Sequence, residues 1–334
     1  MNKPIVGQKL SAGIIGAGEV VSKAHLPVLL AMEDISVAWV ADQDERRAKQ
    51  LSDSYKVKWL PLPKQLSGLP HTDIVLLAVP YGARPPYYEV LRDRGSALYV
   101  EKPISRSADE LRRLCALFSP WSLGIGLQRR SWGQVQLLKQ LVQTSVFGRL
   151  NRIEFRFGGS AIVTSGKSFV SDTKLAGGGI LFEHGIHGLD LALYIAGANS
   201  AHSYKVKTII DKGFDVHSQG QVSLKSAAGE FVLDFKISWI SEMQEGLLFV
   251  FDQACVDMSV VQPRLLLKTK QGKTVISLLE PGSIYPLTGF QTLWQYWRDF
   301  LAGVRTKTVN YTSASSAILT TDLLEQIYAR GVIE

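Results

Sequence analysis

From Ser11 onward, the first third of the sequence alternates short apolar runs with amphipathic stretches, a rhythm that few folds accept. Ala12–Ile15, Ile35–Ala41, Ile74–Val79, Ala97–Val100 and Leu123–Leu127 are four to seven residues long and rich in β-branched and aliphatic side chains. That is the character of strands buried on both faces. Between them, Val20–Met32, Asp44–Ser54, Ala83–Arg94 and Ser107–Phe118 carry apolar residues at helical spacing with charged outer faces. Strand–helix–strand alternation at this spacing predicts right-handed βαβ units and a parallel, doubly wound sheet.

After about residue 125 the rhythm changes. A helical stretch at Gln134–Thr144 leads into the alternating segment Arg152–Phe157, a Gly- and Ser-containing loop, and a second helix from Gly178 to Ala196. Strand-like segments follow at hairpin spacing: Tyr204–Asp211, Val216–Lys225, Glu230–Trp239, Leu247–Asp252 and Arg264–Lys270. Phe231, Leu233, Phe235 and Ile237 alternate with polar neighbours, the period of a sheet covered on one face. Helices at Gln291–Ala302 and Ser313–Ala329 close the chain. The expectation is an α/β domain over residues 1–125 and an α+β domain with a mostly antiparallel sheet over residues 126–334. At 334 residues and 46% hydrophobic composition, two buried cores are affordable.

The first apolar run ends in Gly13-Ile14-Ile15-Gly16-Ala17-Gly18-Glu19-Val20-Val21. Gly16 and Gly18 supply the G-x-G of a dinucleotide fingerprint: one glycine for the tight turn, the next for close approach of a pyrophosphate. The amides and dipole of the helix opening at Glu19 and Val20 face the phosphates. An isolated G-x-G is often an ordinary tight turn, but this one sits between the first strand and first helix of a βαβ unit. The third fingerprint position holds Val21 instead of a small residue. The second strand ends at Asp42, where a carboxylate accepts ribose hydroxyls and repels a 2′-phosphate, so NAD is favoured over NADP. Arg46 and Arg47 lie close enough to tolerate a phosphate, although they are expected to be solvated helix residues.

The fifth strand runs out into Glu101-Lys102-Pro103. Carboxyl ends of strands line the ligand crevice of such sheets, so Lys102 is expected at the nicotinamide end of the cofactor. A second cluster, Gly177-Gly178-Gly179-Ile180-Leu181-Phe182-Glu183-His184-Gly185-Ile186-His187-Gly188-Leu189-Asp190, sets Glu183 and His187 at i,i+4 if helical, with Asp190 three further on. Carboxylate, imidazole and carboxylate in a row form an acid–base unit. The alternatives are a core histidine with a polar helix residue, or a metal site that no other His/Cys/Asp spacing supports.

These motifs resemble the Gfo/Idh/MocA oxidoreductases, the family of glucose–fructose oxidoreductase and inositol dehydrogenase. The resemblance covers nearly the whole chain: GIIGAGEVVSKAHLPVL, the AVP after strand four, YVEKPISRSADEL, the QRR stretch before FGRLNRIEF, GGGILFEHGIHGLDL, and the closing FQTLWQYWRDFLAG and SASSAILTTDLLEQIYARG. It implies an N-terminal Rossmann domain, a second domain whose large open sheet joins a homodimer or homotetramer, and NAD(P)-dependent redox chemistry on sugars or cyclitols. By position, Lys102 would hydrogen-bond the reacting oxygen and His187 would be the general acid–base. Glu183 stands where the family most often has Asp. Pro80, Glu101 and Arg84 fall among the cofactor-side positions, Arg84 where the family often has histidine. Gln128, Arg129, Arg130 and Lys167 are candidates for substrate contact, the cations for an anionic group.

The expected substrate is a sugar, amino sugar (nucleotide- or phosphate-linked included) or cyclitol. A redox-inactive nucleotide-binding scaffold, and a relative using transient hydride abstraction for elimination or glycoside cleavage, are the alternatives. Two cysteines, Cys115 and Cys255, exclude a disulfide framework and fit a reducing compartment. No apolar run spans a membrane, and the opening MNKPIVGQKLSAG lacks a signal-peptide h-region, so a cytoplasmic enzyme is expected. The net charge of +7 raises nucleic acid as a partner, but Lys49, Lys56, Lys58, Arg92, Arg94, Lys205, Lys207 and Lys268 are scattered. They form no basic run, and the excess better suits small anionic ligands.

Overall fold

The computed structural model describes residues 8–63, 65–159, 178–261, 264–279 and 289–333. The chain forms two compact units: residues 1–105, 109–128 and 288–317 in the first, and 106–108, 129–287 and 318–334 in the second.

In the first unit, strands β1 (Leu10–Ile15), β2 (Ile35–Asp42), β3 (Trp59–Pro61), β4 (Ile74–Leu77), β5 (Ala97–Val100) and β6 (Leu123–Ile125) alternate with helices α1 (Leu26–Ala31), α2 (Glu45–Tyr55), α3 (Pro85–Asp93) and α4 (Ala108–Leu117). A π-helical turn, Val21–His25, runs directly into α1. All six strands are parallel, in the order β3-β2-β1-β4-β5-β6. This is the doubly wound Rossmann order, whose direction reverses between β1 and β4 and opens a ligand crevice at their carboxyl ends. β1, β4 and β5 are almost wholly buried, which explains why their apolar runs are unbroken.

The second unit carries α5 (Gly133–Gln143), β7 (Leu150–Gly158), α6 (Ile186–Ala196), β8 (Ala198–Asp211), β9 (Phe214–Ser226), β10 (Gly229–Ser238), β11 (Gly246–Phe251), β12 (Cys255–Met258), β13 (Arg264–Lys268) and β14 (Thr274–Leu279). A nine-stranded sheet runs β14-β13-β12-β11-β7-β10-β9-β8-β15, where β15 is Val332–Ile333. It is antiparallel except at β7·β10 and β8·β15. Phe231, Leu233, Phe235 and Ile237 all point inward, as their alternation predicts. α6 packs close on β7: a Cβ on Gly188 would lie 2.0 Å from the Phe155 ring.

Of the two closing helices, α7 (Gly289–Thr306) belongs to the first unit and α8 (Ile318–Arg330) to the second. The contiguous division at residue 125 is corrected accordingly. Leu293, Tyr296, Trp297, Phe300 and Leu301 of α7 complete the core around α1, β1 and Tyr99. Arg305 ties the helix end to the Asp34 carboxylate at 2.8 Å. Truncating Trp297 or Phe300 to alanine is worth about 3–5 kcal/mol of cavity and lost burial, so this packing outweighs sequence proximity.

Candidate active site

At the end of β1 the chain turns through Gly16 at φ +108°, and a Cβ there would stand 2.6 Å from the Ala78 carbonyl oxygen. Only glycine suits that backbone and that approach. The Gly16 amide donates to Ala41 O and the Ala78 amide to Ile15 O, each at 2.8 Å, which ties together the ends of β2, β1 and β4. At Gly18 an added Cβ would meet nothing within 4 Å. The turn therefore leaves open space over the helix start, where Val21 N–H and Ser22 N–H close on the Gly18 carbonyl at 3.1 and 3.0 Å. An open cradle at a helix N-terminus fits a pyrophosphate. Glu19 and Val20 lie exposed at its rim, Glu19 paired with Lys23 at 2.6 Å. Val21 is fully buried and serves packing alone.

Asp42 sits at the tip of β2. Its Oδ2 accepts the Ala17 N–H at 2.6 Å and its Oδ1 the Asp44 N–H at 2.8 Å. Each oxygen keeps a second lone pair for a hydroxyl donor. Arg46 and Arg47 are drawn to Asp44, at 3.3 and 3.7 Å, and the neighbouring Arg46 side chain holds the exposed Asp44 carboxyl below its ordinary range.

The turn after β5 is anchored from two sides. Arg84, at the start of α3, is 3% exposed and donates to Val79 O at 2.9 Å, to Glu101 O at 2.6 Å and to Pro103 O. Burial lowers its guanidinium pKa, opposed by Tyr88 and Glu101. With these bonds Arg84 braces the backbone of the turn. The Glu101 carboxylate turns into the interior and meets His25 Nε2 at 2.8 Å. Burial pushes that carboxyl up, but the His25 hydrogen bond, with the charges of Lys102 and Arg84, brings it below its ordinary value. Lys102 is half-exposed, and Pro80 opens the 3₁₀ turn Tyr81–Ala83.

The second cluster lies on a helix that begins with the π-helical turn Leu181–Gly185 and continues as α6. Its start is held by a residue the sequence did not single out. Asp215 on β9 is 1% exposed, and its carboxylate accepts Gly179 N–H at 2.6 Å, Leu181 N–H at 2.8 Å and the Tyr328 hydroxyl at 2.5 Å. Burial raises the Asp215 pKa against the pull of those bonds. A Cβ on Gly179 would come 2.2 Å from the Asp215 carbonyl oxygen, which accounts for glycine there. Glu183 is half-buried, and His187 is buried at 8% exposure.

Asp190 is not a third member of an acid–base row. Arg130 grips it through Nε–Oδ2 at 2.8 Å and Nη2–Oδ1 at 2.5 Å, and Thr320 Oγ1 donates to it at 2.8 Å. A fully buried fork of this kind fixes the helix. Gln128 and Arg129 lie half-buried on the 3₁₀ turn Gln128–Ser131. Arg129 lies 5.7 Å over the Trp132 ring, and burial pulls its pKa down to about 10 against the opposing charge of Glu245. Lys167 lies outside the described residues.

Residues 10–120 match the model of an oxidoreductase family with an NAD-binding Rossmann fold, and residues 135–256 match the GFO/IDH/MocA C-terminal domain. The chain is 23% identical over 331 residues to dTDP-3,4-didehydro-2,6-dideoxy-alpha-D-glucose 3-reductase of Streptomyces antibioticus, covering 96% of this chain and 97% of that one. In fold it is similar to KijD10, a 3-ketoreductase from Actinomadura kijaniata solved with NADP and TDP-benzene (TM-score 0.80, 14% identity, 98% and 99% of the two chains). It is also similar to levoglucosan dehydrogenase solved with NADH and levoglucosan (TM-score 0.79, 15% identity, 96% of both). With the fingerprint turn, the Glu-Lys-Pro turn and both domains matched, the chain belongs to the Gfo/Idh/MocA family of oxidoreductases.

Proposed function

We propose that this oxidoreductase moves a hydride between NAD and a secondary alcohol or ketone of a sugar-like substrate, with Lys102 and His187 as its catalytic residues. The observation that carries this reading is the braced turn after β5. Arg84 and Glu101 fix the backbone and the inner side of this turn, and Lys102 stands half-exposed between Glu101 and Pro103. Bound nicotinamide supplies the hydride acceptor or donor. Lys102 Nζ donates a hydrogen bond to the reacting oxygen, and the His187 ring takes the hydroxyl proton in oxidation and returns it in reduction. Glu183, one turn earlier, orients that ring. Positioned acid–base groups contribute roughly 10²–10⁴-fold in rate.

Gly16, Gly18, Glu19 and Val20 would border the pyrophosphate and Pro80 the nicotinamide side. The backbone-held Asp42 carboxylate favours NAD over NADP, and the pairing of Arg46 and Arg47 with Asp44 removes the nearby cations that a 2′-phosphate would use. Arg129 is the contact we assign to an anionic substituent. Its guanidinium lies over the Trp132 ring with the charge of Glu245 acting on it, and the deoxysugar reductase relative is named for a dTDP-linked sugar. Among the described residues no helix is long and apolar enough to cross a membrane. We take the charged outer face of the nine-stranded sheet, where Arg152, Glu154, Arg156 and Asp234 alternate in sign, as the self-association surface of a cytoplasmic homodimer or homotetramer.

Purified protein incubated with NAD and a panel of hexoses, glucosides and dTDP-hexoses should show growth of reduced-nicotinamide absorbance with at least one of them, and weaker growth with NADP. No reduction or reoxidation with any sugar, despite NAD binding, would turn the reading toward a redox-inactive binder.

A further inference from the structure

The outer face of the nine-stranded sheet carries a hollow of about 520 Å³ over β7, β8, β9 and β10, lined by none of the residues named for hydride transfer. Four cations stand around it, Arg156, Lys205, Lys207 and Lys236, and among the described residues Asp234 is its one carboxylate. The cations alternate along their strands with the buried Phe155, Val206 and Phe235, so all of them project from the other side of the sheet. Strand register gathers them from distant parts of the sequence. Arg156 stands beside Lys236 across β7·β10, Lys236 beside Gln219 across β10·β9, and Gln219 beside Lys207 across β9·β8. One row of the sheet therefore holds three cations and an amide with no acid between them, spanning roughly 14 Å at about 4.8 Å per strand.

Like charges on neighbouring strands oppose each other, and Lys236 with Arg156 is such a pair. The carboxylates of the next row are divided among other groups. Asp234 accepts Gln221 Nε2 at 3.0 Å and lies 3.7 Å from Arg152, while Glu154 is shared between Arg152 and Arg156 at 3.6 Å from each. Arg156 is also pinned to the floor, its Nη1 donating to Phe155 O at 3.0 Å and Asp234 O at 3.2 Å.

The geometry points to this hollow as a binding site for a polyphosphate group, held by Arg156, Lys236 and Lys205. Two or more phosphates in line match cations set along and across the row, and their charge relieves the repulsion between Lys236 and Arg156. The anchored guanidinium presents a fixed fork, to which the two ammonium groups adjust on flexible stems. Lys207 adds to the positive field at the β8 end. The inference goes beyond the proposed reaction and uses none of its residues. It shares a face with the proposed self-association surface, so the carboxylates of a second copy are the competing occupant.

Isothermal titration with inorganic pyrophosphate, run with NAD in excess to fill the fingerprint turn, tests it. One saturable site per chain should appear, tighter than that for sulfate at equal ionic strength. Lys236→Gln and Lys205→Gln should each weaken it about threefold, the strength of an exposed ion pair, and Arg156→Met about tenfold or more. Arg129→Met, which removes the cation assigned to an anionic substituent, should leave it unchanged. In a parallel arm, ADP binding more tightly than pyrophosphate at this site would name a nucleotide as the bearer of the group, and equal binding a free polyphosphate. Pyrophosphate binding no tighter than sulfate would overturn the proposal, as would binding lost in Arg129→Met and kept in Lys236→Gln. A wild type that binds no pyrophosphate, yet sediments as a dimer that Lys236→Gln dissociates, would overturn it by giving the row to a second copy.

Discussion

Replacing Asp215 with alanine removes the acceptor of two buried amides and a tyrosine hydroxyl at the start of the helix that carries Glu183 and His187. Gly179 N–H, Leu181 N–H and Tyr328 Oη lose partners at 2.6, 2.8 and 2.5 Å. Loss of a helix cap costs about 0.5–2 kcal/mol, and an orphaned buried donor about 1–3 kcal/mol. Because the first turn can fray and expose these donors to solvent, the sum is about 2–4 kcal/mol rather than the full total. Denaturant unfolding of the second unit measures it. Asp215→Asn separates the acceptor from the charge. Burial raises the Asp215 pKa, so the charged form is less favourable in the folded chain than in the unfolded one. Wild-type stability should then decline as pH rises from the ordinary carboxylate range through that raised value, and level off above it. Asp215→Asn should lack this decline and gain on the wild type across the same window. A loss below about 0.5 kcal/mol in Asp215→Ala, within ordinary surface-substitution scatter, would refute the reasoning, as would parallel pH profiles for wild type and Asp215→Asn.

Other perturbations follow from the same geometry. Gly16→Ala, at φ +108° with its Cβ 2.6 Å from a backbone oxygen, should cost about 1–3 kcal/mol in stability and abolish NAD binding in a fluorescence titration. Arg84→Met strips three backbone carbonyls of their donor; thermal unfolding should show a loss of about 2–4 kcal/mol, with turnover falling more than NAD affinity. Asp42→Ala should bring the dissociation constants for NAD and NADP together, losing about tenfold or more of the preference for NAD. Arg129→Met should raise the KM of a phosphate-bearing sugar about 10–100-fold and leave the KM of a neutral sugar alone.

The parallel sheet was legible because buried strands leave unbroken apolar runs, and both clusters were legible because Gly16, Lys102 and His187 sit in contiguous motifs. What local pattern did not carry was partnership across the chain. The return of α7 to the first unit rests on Trp297 and Phe300 finding Tyr99, a pairing invisible in the period of either segment. β3, β12, β14 and β15, two to six residues long, were missed, since pairing with a neighbouring strand and not a local pattern defines them. Arg84, Glu101, Arg130 and Asp190 looked available because charge usually faces solvent, whereas here each is buried with its polar atoms spent on the fold. Asp215 had only one signal: a lone acid on an inward-facing strand position, which must find donors.

The most direct test measures turnover and cofactor affinity together in wild type, Lys102→Ala and His187→Ala. With a sugar that the wild type oxidises, each variant should bind NAD within a few-fold of wild type while its rate of nicotinamide reduction falls roughly 10²–10⁴-fold. A variant that keeps near-normal turnover would remove that residue from the reaction and contradict the account.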